Sequence, residues 1–161
     1  GPKVISPAYP HDHLISVGER LRRKPLLWDN YPVNDAKRLT PFLHLLPFSQ
    51  RPHFSLEPVL ELCSGLLANP MNQAALSQIS LVSLAQLAGT PRSTAAAGNP
   101  AALALLSADT QRFQHEGLDT FDDLERQRLY QRYAALLPDP MAREVCDWLQ
   151  GAYTFDPACL T

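Results

Sequence analysis

The sequence predicts an α/β chain that becomes wholly helical towards its C-terminus. Three observations carry this. Two short apolar runs, Pro25-Leu26-Leu27-Trp28 and Gly65-Leu66-Leu67-Ala68, alternate with segments of helical spacing over residues 1–88. Each run stops at polar residues, Asp29-Asn30 in the first case and Asn69 in the second. Past residue 99 every periodic segment is helical. Strands that alternate with helices argue for a parallel sheet with crossover helices.

The 161 residues include 14 Lys plus Arg and 16 Asp plus Glu, a net charge of −2. That balance leaves no electrostatic footprint for nucleic acid or an anionic membrane surface. Apolar residues make up 45% and charged residues 19%, enough apolar material for one sizeable core. No run of 18 apolar residues occurs, so no membrane-spanning helix is predicted. A complete (β/α)8 barrel needs at least about 200 residues, more than this chain has.

The elements follow in order. Residue 1 is Gly, not Met, and no signal-peptide pattern follows. Gly1-Pro2 is expected to be either a protease scar or a cut inside a longer chain. Pro2, Pro7 and Pro10 make residues 1–11 extended or looped. Leu14, Ile15, Val17 and Leu21 give residues 12–22 helical spacing, with Asp12 at the start and Arg22-Arg23 at the end. Residues 25–28 read as a buried strand. Four prolines and no sustained period make residues 30–54 a long loop, and long ordered loops are usually functional.

Ser55 is expected to cap a short helix with Glu57-Pro58 in its first turn and Val59, Leu60 and Leu62 inward. Residues 65–68 form the second strand. Asn69-Pro70 then open a helix over residues 71–88, which Gly89-Thr90-Pro91 stop. Small residues along it, Ala74, Ala75, Ser77, Ser80 and Ser83, suit close packing on a sheet. Residues 91–99 form a low-complexity linker, so the chain divides into 1–90 and 100–161. In the second part, residues 100–117, 121–137 and 141–153 read as helices of a hairpin or small bundle. Phe121, Leu124, Leu129, Tyr133 and Leu136 form the inner stripe of the second, and Val145, Trp148 and Leu149 that of the third.

No metal or cofactor is predicted. Cys63, Cys146 and Cys159 are widely spaced with no CxxC, and the five His form no HxxxH pair. Cys63 and Cys146 read as small buried apolar residues. Reduced thiols tilt the expected compartment towards the cytoplasm.

The densest polar cluster is Trp28-Asp29-Asn30-Tyr31-Pro32-Val33-Asn34-Asp35. Amides and carboxylates in fixed geometry suit hydroxyl-rich ligands, and an indole suits an apolar sugar face. A turn with Asx caps and a core Trp accounts for the same residues equally well. Asp29 and Asp35 could serve as a glycosidase acid/base pair, but spacing alone does not establish it. Asp122-Asp123 reads as favourable charge at a helix start.

The strings Gly1-Pro2-Lys3-Val4, Pro25 to Asp35 and Gly65 to Gln73 (GLLANPMNQ) resemble glycoside hydrolase family 84 over roughly the first 88 residues. That family holds β-N-acetylglucosaminidases, including O-GlcNAc hydrolases and bacterial hyaluronidase-type enzymes. The resemblance implies the C-terminal portion of a (β/α)8 barrel, from the end of strand six to strand eight, followed by a helical region. Gly1–Val4 would be the turn after strand six, with residues 26–28 strand seven and 66–68 strand eight.

It also implies substrate-assisted hydrolysis, in which the 2-acetamido oxygen attacks the anomeric carbon and two adjacent aspartates do the acid–base work. That pair would lie before Gly1, so the isolated chain is expected to be inactive. Of the substrate-binding residues, Trp28 would line the acetamido pocket and Asn30 would sit near the reacting centre. Asp35 and Asn69 would contact the O4 and O6 hydroxyls. Expected partners are a GlcNAc-containing glycoprotein or glycan and the missing N-terminal half of the barrel. The helical tail offers a homodimer contact. The competing reading is a non-catalytic helical interaction module whose two apolar runs are core segments.

Overall fold

The structure, a computed structural model, describes residues 6, 8–51, 53–89 and 98–153. The expected turn at Gly1–Val4, most of the linker and Cys159 lie outside the described residues. The order is α1 (His11–Leu21), β1 (Leu26–Pro32), α2 (Glu57–Leu62), β2 (Gly65–Asn69), α3 (Ala74–Leu87), α4 (Pro100–His115), α5 (Asp123–Ala134) and α6 (Pro140–Leu149). Between β1 and α2 runs the long irregular segment, with one 3-10 turn at Phe48–Gln50. Among the described residues no helix is long and apolar enough to cross a membrane.

β1 and β2 pair in parallel, as the alternation predicts, with Leu26 opposite Gly65 and Trp28 opposite Leu67. β1 runs four residues past Trp28, so Asp29 and Asn30 lie inside the strand rather than in a turn after it. The expectation of two buried strands needs correction. Side chains alternate across a strand, and Leu26, Trp28 and Leu67 share one face, where they are 55%, 65% and 48% exposed. Among the described residues only the other face is covered: Leu27 and Leu66 pack with Leu14, Val59 and Cys63 from α1, α2 and the turn after α2.

Several local expectations also change. α2 begins after Leu56 and has no side-chain cap, so Ser55 does not cap it, and Leu60 points outward. Asn69 ends β2 instead of capping a helix, and α3 starts at Ala74. The small residues of α3 bind the long loop more than a sheet. Ser80 Oγ donates to the His44 and Leu46 carbonyls, and Ser83 Oγ accepts from the Phe48 amide. Leu124 is exposed, one position off the stripe that Phe121, Leu129 and Tyr133 bury.

The helical expectations for α4 to α6 hold, with ends trimmed. Asn99, Asp122 and Asp139 cap them, each side chain accepting from an amide two or three residues on. Val145, Trp148 and Leu149 are buried, as are Cys63 and Cys146. The main core joins these helices to the earlier segment: Leu43, Leu45, Met71 and Leu76 pack with Leu106, Phe113, Phe121, Tyr133 and Trp148. Backbone bonds reinforce the join, from Leu43 N–H to Phe113 O and from Leu118 N–H to Pro41 O. Gly117 sits between them at φ 78°, where a Cβ would come within 2.7 Å of Phe42. Both the positive φ and the lack of space require glycine there.

Candidate carbohydrate-binding site

The open face of the sheet carries the polar cluster. Register would set Asn30 beside Asn69, and an irregularity after Asp29 shifts the next pairing to Pro32 with Asn69. The two amides meet nonetheless. Asn69 Nδ2 donates to Asn30 Oδ1 at 3.2 Å, and the Trp28 indole donates to the same oxygen at 2.8 Å. One carbonyl oxygen thus orients an indole and a second amide at the carboxyl ends of two parallel strands. In α/β folds, ligands bind at that end.

Behind this group the two loops that leave the strands are tied together. Asn34 is 1% exposed, and its Nδ2 donates to Phe42 O at 3.0 Å and to Gln73 Oε1 at 2.8 Å. Its Oδ1 accepts from the Asn72 amide at 3.1 Å. Asp35, the next residue, is exposed, and its carboxylate bonds to no other described residue. The four residues anticipated from sequence therefore divide. Trp28, Asn30 and Asn69 make one bonded group, while Asp35 stands on the adjoining loop, free to accept from a ligand.

Asp29 points the other way, into the covered face. It is 5% exposed and pairs with Arg51 Nη1 at 2.5 Å. It is thereby committed to structure and is not available as a partner for Asp35. Burial pushes the Tyr31 phenol up to about 12, and its hydroxyl donates to Leu46 O at 2.7 Å. His44 stacks on Tyr31 and lies within 2.9 Å and 3.1 Å of the Pro32 and Val33 carbonyls. Two carbonyl neighbours place the proton on Nδ1. Burial is the largest influence on His44 and lowers its pKa, so the ring is neutral at pH 7.

Asn34, Gln73 and Arg51 are not among the residues that the motifs single out. The first two lie inside the strings that carry the resemblance, which was the available signal. Arg51 gave none beyond being the one cation within the apolar stretch 41–54. Among the described residues no group of three or more His, Cys, Asp or Glu could hold a metal ion.

A family model described as beta-N-acetylglucosaminidase matches residues 1–121. Among solved structures, a mutant O-GlcNAc hydrolase from Thermobaculum terrenum is similar at 24% identity and a TM-score of 0.53. The match covers 94% of this chain and 40% of that one, so the likeness takes in both the strand-bearing and helical parts.

Proposed function

Because the chain belongs to the β-N-acetylglucosaminidase family, we propose that it forms the sugar-binding side of a retaining β-N-acetylglucosaminidase pocket of the O-GlcNAc hydrolase kind. Residues 1–90 would be the last part of a (β/α)8 barrel and residues 100–161 a helical region set against it. The bare sheet face supports this: Leu26, Trp28 and Leu67 would line a barrel interior closed by further strands. The outer edges of β1 and β2 are unpaired among the described residues, which a closed barrel would also resolve. The alternative helical module would bury these apolar side chains in its core, yet they are exposed.

The observation that carries the reading is the bonded group Trp28–Asn30–Asn69 at the strand ends. In it Trp28 would line the acetamido pocket, Asn30 would stand at the reacting centre, and Asn69 with Asp35 would hold the O4 and O6 hydroxyls. The acetamido oxygen attacks the anomeric carbon as the glycosidic C–O bond breaks, and the departing oxygen takes a proton. Water then opens the oxazoline and retains the configuration. The proton transfers need a pair of positioned carboxyls. Within this sequence Asp122-Asp123 is the single adjacent pair, and Asp122 caps α5. The acid–base pair is therefore assigned to barrel segments outside residues 1–161.

The test compares two proteins on 4-methylumbelliferyl β-N-acetylglucosaminide. The 161-residue chain alone should release no fluorophore, whereas the full-length gene product should. There Asp35→Ala should lower kcat/KM by about two orders of magnitude or more, from two charge-assisted bonds of roughly 1.5–3 kcal/mol each. Turnover by the isolated chain would overturn the assignment of the acid–base pair.

A further inference from the structure

One carboxylate of the helical region bonds directly to the helix that follows the candidate pocket. α3 has no side-chain cap of its own; Gln73 stands at its N-cap position without a bond to the helix amides. The amides of its first turn are orphans in any helix and need partners. Glu144, on α6, supplies two of them. Its Oε1 accepts from the Ala75 amide at 2.9 Å and its Oε2 from the Leu76 amide at 2.8 Å. A carboxylate there is doubly favoured, by charge-assisted bonds and by the positive end of the helix dipole.

The turn so fixed holds the loop before it. Ser77 Oγ, one residue past Leu76, accepts from the Met71 amide at 2.9 Å and donates to Gln73 O at 2.7 Å. Met71 Sδ receives the His44 amide. Asn72 and Gln73 bond to Asn34, which precedes Asp35. From Glu144 the connection therefore runs through α3's first turn to the loop after Asn69, and across it to the loop bearing Asp35.

We propose that Glu144 is a positioning residue for the sugar pocket: its carboxylate fixes the first turn of α3 and with it the 69–73 and 34–35 segments. The helical region then has a part in binding, through the two loops that its carboxylate holds. This rests on the pocket reading above, and the experiment separates the two.

The experiment uses the full-length gene product and three variants, Glu144→Ala, Glu144→Gln and Asp109→Asn. Asp109 is the control: a buried carboxylate of the same helical region that bonds Tyr133 and Arg132 and touches neither loop. The measurements are KM and kcat on the aryl GlcNAc substrate and hydrogen exchange across residues 69–77. Glu144→Ala should raise KM about tenfold, with kcat changing less, because loosened loops lose sugar contacts. Exchange over 69–77 should quicken. Glu144→Gln keeps one acceptor and should fall between wild type and Ala. Asp109→Asn should lower Tm while leaving KM and this exchange as they are.

Wild-type KM and exchange in Glu144→Ala would overturn the proposal. So would an equal KM rise in Asp109→Asn, which would mark a general loss of stability. If Glu144→Ala fails to fold, Glu144→Gln against Asp109→Asn decides by the same two measurements. If wild type itself turns over no aryl GlcNAc, the pocket reading fails. The exchange comparison over 69–77 then decides alone whether Glu144 holds the loop.

Discussion

Asp29 and Arg51 meet as a buried ion pair 2.5 Å apart, with the guanidinium within 5.3 Å of the ring centres of Tyr31, Phe48 and Phe54. The pair pins the end of the long loop to the covered face of β1, directly behind Trp28 and Asn30. Removing one partner strands a charge in a poorly solvated site, which typically costs about 3–5 kcal/mol. Arg51→Met should lose stability of that order in urea denaturation. The Asp29→Asn, Arg51→Met double variant should lose clearly less than the sum of the two single changes. Additive losses would mean that the two side chains are not coupled.

His44 sets an acid limit on the same loop. Burial lowers its pKa, partly opposed by the Pro32 and Val33 carbonyls, so the folded state binds a proton less readily than the unfolded chain. The unfolded value is near 6.5. The stability that this neutral ring contributes is present above that value and is lost as pH falls through it towards the folded pKa. Tm should therefore drop between pH 7 and pH 5. His44→Asn should flatten the drop, its amide still able to donate to a carbonyl. An unchanged slope would remove His44 as the cause.

Phe113 is fully buried and touches Phe121, Tyr133 and Trp148, and its carbonyl binds the Leu43 amide of the long loop. Phe113→Ala should cost about 3–5 kcal/mol, transfer and cavity together. Because that core is shared, the loss should appear as one lowered calorimetric transition. Two separate transitions would mean that residues 100–161 unfold independently of the strands.

Asn30 is the shared acceptor of the candidate pocket. Replacing it with Ala frees both the Trp28 indole and the Asn69 amide, at about 1 kcal/mol for each lost bond. In the full-length gene product, Asn30→Ala should lower kcat/KM at least about tenfold even before any direct role at the reacting centre is counted. Stability should fall by no more than about 2 kcal/mol, and by less where water replaces the bond to the exposed Trp28. Wild-type kinetics in this variant would remove the bonded group from the proposed pocket.

Elements with strong local signals were legible. The apolar runs gave β1 and β2, helical spacing gave α1 and α3 to α6, and prolines marked the long loop. Local rules failed where distant partners decide the outcome. Ser55 and Asn69 look like caps, but α2 begins without one and α3 takes its cap from Glu144, 69 residues along from Ala75. Leu26 and Leu67 look like core, yet their face of the sheet has no cover among the described residues. At the site, the motif strings drew attention to Trp28, Asn30, Asp35 and Asn69. Nothing local showed that Asp29 turns inward to Arg51, 22 residues away, because strand alternation matters only once the covered face is known.

The separation of Glu144 from α3 also orders events during synthesis. Ala75 and Leu76 leave the ribosome with their amides uncapped, and Glu144 follows 69 and 68 residues later. At about 5–20 residues per second that interval is several seconds, long compared with helix formation. Until it ends, the 69–73 segment has Asn34 and Ser77 to hold it but no anchor from α6. A nascent chain halted short of residue 144 should show this segment open to proteases, and one halted well beyond residue 153 should show it protected.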